Sequence, residues 1–223
     1  MFIISESWRS AYPGAHAGVL AMRGVANPPQ HPDLEGRKAA LEAALRARYA
    51  GSDRAALKAL PAIHAYNAYY KGFNKTYHLL LQLEGVVLKG RSIASGAALV
   101  EAMFMAELGN LLLTAGHDAD AFVLPIVVDV AGGDERYVML SGQEQTLKAG
   151  DMFMRDGQGV ISSVLYGPDA RTRITAATRA ALFTVYAPSP IEAQAVRQHL
   201  QDICDNVLTI APRAEVEALE VYP

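Results

Sequence analysis

Only one of the 223 residues is a cysteine, Cys204. A single thiol closes no internal disulfide, and no Cys/His pair has zinc spacing, so no metal site is expected. The six histidines (His16, His31, His64, His78, His117 and His199) are scattered along the chain. No apolar run approaches the ~20 residues that a helix needs to cross a bilayer. The N-terminal MFIISESWRS lacks the basic start and long apolar stretch of a secretory signal. A soluble, cytoplasmic protein without membrane partners is therefore expected. Neither sign of charge dominates: 20 Lys and Arg face 23 Asp and Glu, for a formal net charge of −3. With no basic tail, bulk electrostatics do not favour tight non-specific nucleic-acid binding, although a local basic patch stays open. The chain also has no P-loop, no GxGxxG between a strand and a helix, no GxSxG elbow and no HExxH. No cofactor is implied.

What the chain does have is an ordinary globular composition, 51% hydrophobic and 19% charged. Its length is enough for a sizeable core. Residues 1–22 read as two short strands around the Tyr12-Pro13-Gly14 turn, and Ala17–Val25 is apolar and strand-like. Prolines at 28, 29 and 32 break the chain before a helix from Glu35 to about Tyr49. Asp53 can cap a helix through Leu60, Pro61 starts another, and Leu79–Lys89 reads as a helix ending at Gly90. After Asp118 the character changes to short β-rich runs at 123–130, 136–140, 151–156, 160–166 and 180–188, punctuated by glycine turns. A helix follows from about 191 to 207. Helices before about 118, strands over 119–188 and a C-terminal helix predict an α+β class in one domain, 1–223.

Several residues stand out against this pattern. Leu99–Asp118 reads as an amphipathic helix running into a Gly-His-Asp loop, with Glu107 inside the apolar stripe of Val100, Met103, Phe104, Leu108 and Leu111. Glu84 falls in the same way among Leu80, Leu83, Val87 and Leu88. A carboxylate in an apolar stripe is costly to bury unless it is paired, so each marks either a polar site or the watered end of a cleft. Tyr66, Tyr69, Tyr70, Phe73 and Tyr77 alternate with Lys71, Asn74, Lys75 and His78. That mixture can stack bases and hold phosphates, with Lys71, Lys75 and Lys89 as RNA contacts. It fits equally an amphipathic helix with tyrosine hydroxyls at the surface. In Tyr166–Phe183, Asp169, Arg171, Arg173, Thr175 and Thr178 crowd one loop. They can bind a phosphate or carboxylate, or bond the loop's own backbone.

The order of YPG…GVL…GV.N (Tyr12–Asn27), LKG (Leu88–Gly90), ALVEA…ELGN…GHD (Ala98–Asp118), GDE (Gly133–Glu135), L.G.E..L..GD (Leu140–Asp151) and GPDARTRIT..T (Gly167–Thr178) resembles the stand-alone B3/B4 domain proteins. These are similar to the tRNA-binding and editing module of the phenylalanyl-tRNA synthetase β subunit. The resemblance runs over nearly the whole chain. It implies an α+β domain round a β-sandwich-like core and a pocket where tyrosine misattached to tRNA is hydrolysed. Asn110 of the ELGN motif and the 169–178 loop would then bind ligand, and Glu107, His117 and Asp118 would orient a water. Ala115 stands where the family has a histidine, with His117 displaced by two, and the family's strand glutamate falls near Thr184. The aminoacylation core of the synthetase is not in this chain, so ligase activity is not expected. Three functions stay open: a tRNA or aminoacyl-tRNA-binding module clearing a mischarged species in trans, a non-catalytic module for a small amino-acid-like ligand, and a nucleic-acid binder without a pocket.

Overall fold

The computed structural model describes residues 1–223. In chain order the elements are β1 (Phe2–Ile4), α1 (Glu6–Ala11), β2 (His16–Arg23), α2 (Pro32–Arg48), α3 (Arg54–Lys58), α4 (Pro61–Lys71), α5 (His78–Val87), α6 (Ala98–Asn110) and β3 (Thr114–Asp118). There follow β4 (Ile126–Val130), β5 (Arg136–Val138), β6 (Glu144–Thr146), β7 (Met152–Asp156), β8 (Gly159–Ser163), β9 (Gly167–Pro168), β10 (Ala180–Ala187), α7 (Ala193–Ile210) and β11 (Glu215–Tyr222). The class is α+β. One sheet has the order β1-β4-β7-β8-β9, a second the order β11-β2-β10-β3, and β5 and β6 form a separate ribbon.

All eight residues of β10, AALFTVYA, are buried, because both faces of the second sheet are covered there. One face carries Thr184, whose hydroxyl contacts the Met154 sulfur at 3.6 Å, and Tyr186, 2.6 Å from the Ser162 hydroxyl. Both contacts reach the first sheet, so the two sheets pack face to face. The other face takes α7. Its buried Val196, His199, Leu200, Ile203, Cys204 and Val207 recur at helical spacing and form one stripe. The approach is close: a Cβ on Gly18 would lie 2.5 Å from Val196 Cγ1, so α7 seats only over a glycine.

Helix α6 is buried among α2, α5, α7 and β3. It ends at Leu111, which adopts φ +62° and donates its N–H to the Glu107 carbonyl. A left-handed residue at this position closes the helix and redirects the chain. The Gly-His-Asp segment is therefore an edge strand, β3, rather than the loop expected.

Residues 6–11 form a helix where the strand before the Tyr12-Pro13-Gly14 turn was expected. Ser5 accepts the Trp8 N–H at 3.1 Å, a helix cap that also sinks Trp8 fully into the core. The C-terminal strand β11 and the short β6 and β9 had no legible alternation. The tyrosines of α4–α5 depart from both readings made of them. Tyr66 and Tyr70 donate to the Tyr186 and Val164 carbonyls at 2.8 and 2.7 Å, and Tyr66 stacks on Tyr77 at 4.4 Å. Their hydroxyls tie the helices to β10 and the β8–β9 turn instead of facing solvent or RNA.

Lys38 of α2 is buried, yet it is satisfied by Glu101 at 2.9 Å and Glu35 at 2.7 Å. Replacing Lys38 with alanine leaves Glu101 as an uncompensated buried charge. Urea denaturation at neutral pH should show a loss of about 3 kcal/mol or more.

Candidate functional site

Where the two sheets meet at the edge strand β3, α6 closes the seam and leaves a cavity of ≈ 360 Å³. Its wall includes Met103 and Glu107 of α6, Ala115 of β3, Tyr186 of β10 and Tyr166 of the β8–β9 turn. Met103 and Glu107 are four residues apart and so share one helix face. An adjoining cleft of ≈ 420 Å³ shares Met103, Thr114, Ala115 and Pro168 and adds Arg173 and Ile174.

Glu107 is buried in the last turn of α6, 4% exposed. One carboxyl oxygen accepts the Thr114 N–H at 2.7 Å, and the other makes no hydrogen bond within the protein. Burial pushes its pKa up to about 8, opposed in part by that N–H. The negative end of the helix dipole acts in the same direction as burial. At neutral pH the group is therefore mostly protonated and offers the cavity both a donor and an acceptor.

The edge of β3 next to it is partly open. The Thr114 and Asp118 N–H groups leave the sheet toward Glu107 and the Thr172 carbonyl, the latter at 2.8 Å. Strand alternation sends the Gly116 N–H to the same side. A Cβ on Gly116 would come to 3.0 Å from both the Met103 sulfur and Ile174 Cδ1, so glycine permits this crossing of α6 and the 172–178 loop.

Of the three residues read as catalytic, only Glu107 lines the cavity. His117 is fully buried, with Nδ1 2.7 Å from the Thr172 hydroxyl and its ring 5.9 Å from that of Phe122. Burial, then the Arg171 charge, lowers its pKa to about 3, so it is neutral and Nε2 has no partner. Asp118 lies on the opposite face of β3, accepting the Thr178 hydroxyl at 2.7 Å and the Asp120 N–H at 3.1 Å.

The 169–178 loop is bonded largely to itself. Asp169 accepts the Thr172 N–H at 3.0 Å, and Thr178 accepts the Thr175 N–H at 2.9 Å. Arg171 donates to the Asp156 carboxylate and the Ala121 carbonyl, both at 2.8 Å. Arg173 alone of this group reaches the cleft. Glu84 sits far from Glu107 in function: it faces Arg54 Nε at 2.8 Å. Asn110 donates to Asp202 at 2.7 Å in a small hollow of ≈ 190 Å³ between α6 and α7. Lys71 and Lys75 line a separate hollow, and Lys89 is exposed outside both. Glu84, Glu107, His117 and Arg171 do not converge on one cavity.

Ala115 and Thr184, where the resemblance places the family's histidine and glutamate, are direct cross-strand partners on the inter-sheet face. The two departures thus fall side by side: Ala115 lines the cavity, and Thr184 is fully buried next to it. Sequence reasoning missed Ser163, Tyr166 and Tyr186 as cavity residues, which come from two segments, the β8–β9 region and β10. The only available signal was Tyr166, at the head of the loop motif.

No group of three or more His, Cys, Asp or Glu side chains is placed to hold a metal ion. No helix is long and apolar enough to cross a membrane. No protein-family model and no curated protein matches the chain. Among solved structures, it is similar to an N-terminal fragment of the phenylalanyl-tRNA synthetase β subunit from Pyrococcus horikoshii, with TM-score 0.52 and 11% identity. The match covers 100% of this chain and 54% of that one, so the chain spans about half the length of the fragment. At that identity the likeness is one of fold.

The protonated state of Glu107 has a measurable consequence. The folded protein holds its proton up to about pH 8, whereas an unfolded glutamate releases it near 4.5. Its ionisation therefore opposes folding as pH rises between those values. The thermal midpoint of wild type should fall relative to Glu107→Gln from about pH 5 to 8 and run parallel above that. A gap independent of pH would contradict the assignment.

Proposed function

We infer that this protein is a B3/B4-type module that binds the aminoacylated end of a tRNA, with the amino-acid moiety in the cavity at Glu107. The observation that supports this most is a buried, mostly protonated carboxyl with one unsatisfied oxygen on the cavity wall, in a fold like that of the synthetase fragment. An aminoacyl ester carries an α-ammonium group and a carbonyl. The ammonium would draw the proton off Glu107 and gain a charge-assisted hydrogen bond, whereas a carbonyl would accept from the neutral form. If the ester is cleaved, a water oxygen attacks the carbonyl carbon and the ribose oxygen leaves with a proton. Glu107 would give its proton to that oxygen and recover one from the attacking water.

A second reading is favoured by the placement of His117 and Asp118 away from the cavity, which leaves Glu107 without a second acid or base. In that case the ligand is a free amino-acid-like metabolite, its carboxylate held by Arg173 at the adjoining cleft.

A panel of aminoacylated tRNAs, followed for deacylation, separates the two. Hydrolysis above buffer by wild type, lowered on the order of a hundredfold in Glu107→Gln, is the expected result for the first reading. If no species is deacylated faster than in buffer, the hydrolase is excluded. Free amino acids that raise the thermal midpoint of wild type but not of Arg173→Ala then support the second.

A further inference from the structure

A cluster of positive charge on this acidic protein lies outside the cavity. Arg54 and Lys58 of α3, Lys71 at the end of α4 and Lys75 in the next loop line one hollow of ≈ 770 Å³. Lys58 and Lys71 are exposed and have no carboxylate partner within ion-pair distance. Arg54 is held through Nε by the buried Glu84 carboxylate at 2.8 Å, which leaves its terminal nitrogens free. The one acidic residue on the rim, Asp53, is occupied in capping α3 through the Ala56 N–H at 2.8 Å. On the same wall Asn67 keeps a buried amide nitrogen with no hydrogen-bond partner. Three cations without an ion pair, a fourth paired through Nε alone, and an unpaired donor are the complement of an extended anion.

The hollow is also connected to the cavity. The Lys75 ammonium lies 4.2 Å from the centre of the Tyr166 ring, and Tyr166 is part of the cavity wall. We propose that the hollow binds successive phosphodiester groups of the single-stranded 3′ end of an RNA, whose terminal nucleoside passes over Tyr166 toward Glu107. This rests on the reading that the cavity takes an aminoacyl group, which is esterified to the 3′-terminal ribose. A half-buried aromatic ring beside a lysine suits that junction: its accessible part stacks on a base of any identity while the ammonium meets the adjacent phosphate. The net charge of −3 acts in the same sense, since repulsion from the rest of the surface confines a polyanion to this hollow.

Fluorescence anisotropy of a labelled single-stranded oligoribonucleotide, measured across a salt series, tests the proposal. Wild type is compared with the double variant Lys58→Ala/Lys71→Ala and with Arg197→Ala, an exposed arginine on α7 remote in sequence from the hollow. The double variant should bind on the order of tenfold more weakly at low salt, and its log–log salt slope should fall by about 1.4. Arg197→Ala should match wild type, and all three should share one thermal midpoint. If wild type binds the oligonucleotide and the double variant binds it equally with the same slope, the hollow is not the RNA site. The cavity reading would then stand or fall on the deacylation panel. If wild type binds no RNA at low salt, the hollow proposal fails, and the aminoacyl-tRNA reading fails with it whatever free amino acids do.

Discussion

The complete burial of β10 is the constraint on which the rest of this protein depends. A strand whose eight side chains all avoid water must be covered on both faces, here by the first sheet and by α7. Each large apolar side chain so buried contributes roughly 1.5–3 kcal/mol. Once β10 occupies the middle, β2 and β3 must flank it, and β3, with no strand paired on its far side, becomes an edge. The cavity exists because that edge meets the β8–β9 turn across the seam without pairing to it. The glycines at 18 and 116 serve the same arrangement, each removing a side chain where a helix or loop has to come close.

Against this frame the two irregular carboxylates of the helical region have different physical fates. Glu84 meets Arg54, and in doing so it fixes a guanidinium at the rim of a basic hollow. Glu107 has no cation near enough and is neutralised by taking a proton instead. One thereby borders a hollow lined by cations, and the other lines a cavity. Lys75, resting on the Tyr166 ring, lies between the two.

Much of the fold was legible because local rules and tertiary packing agree. The Asp53 and Pro61 starts of α3 and α4, the β-rich runs of β4 and β7 and the helix α7 follow from capping, residue type and turn chemistry. The α1 helix was not legible, since six residues with one buried tryptophan give no period. Nor was β11, whose residues are mostly half-exposed on both faces and show no clean alternation. The tyrosines of α4–α5 were misread because an aromatic hydroxyl is satisfied equally by water or by a buried carbonyl, and only the position of β10 decides which.

The sequence by itself determined the class, the order of most elements and the oddity of Glu84 and Glu107, because period and residue type are local properties. It also marked the 169–178 loop as rich in donors. Only the tertiary structure decided that this loop bonds mainly to itself, that His117 and Asp118 face away from Glu107, and that Ala115 and Thr184 lie side by side. Those outcomes turn on strand register and on which edge stays unpaired. Both are set by contacts between residues far apart in the chain, and no local pattern records them.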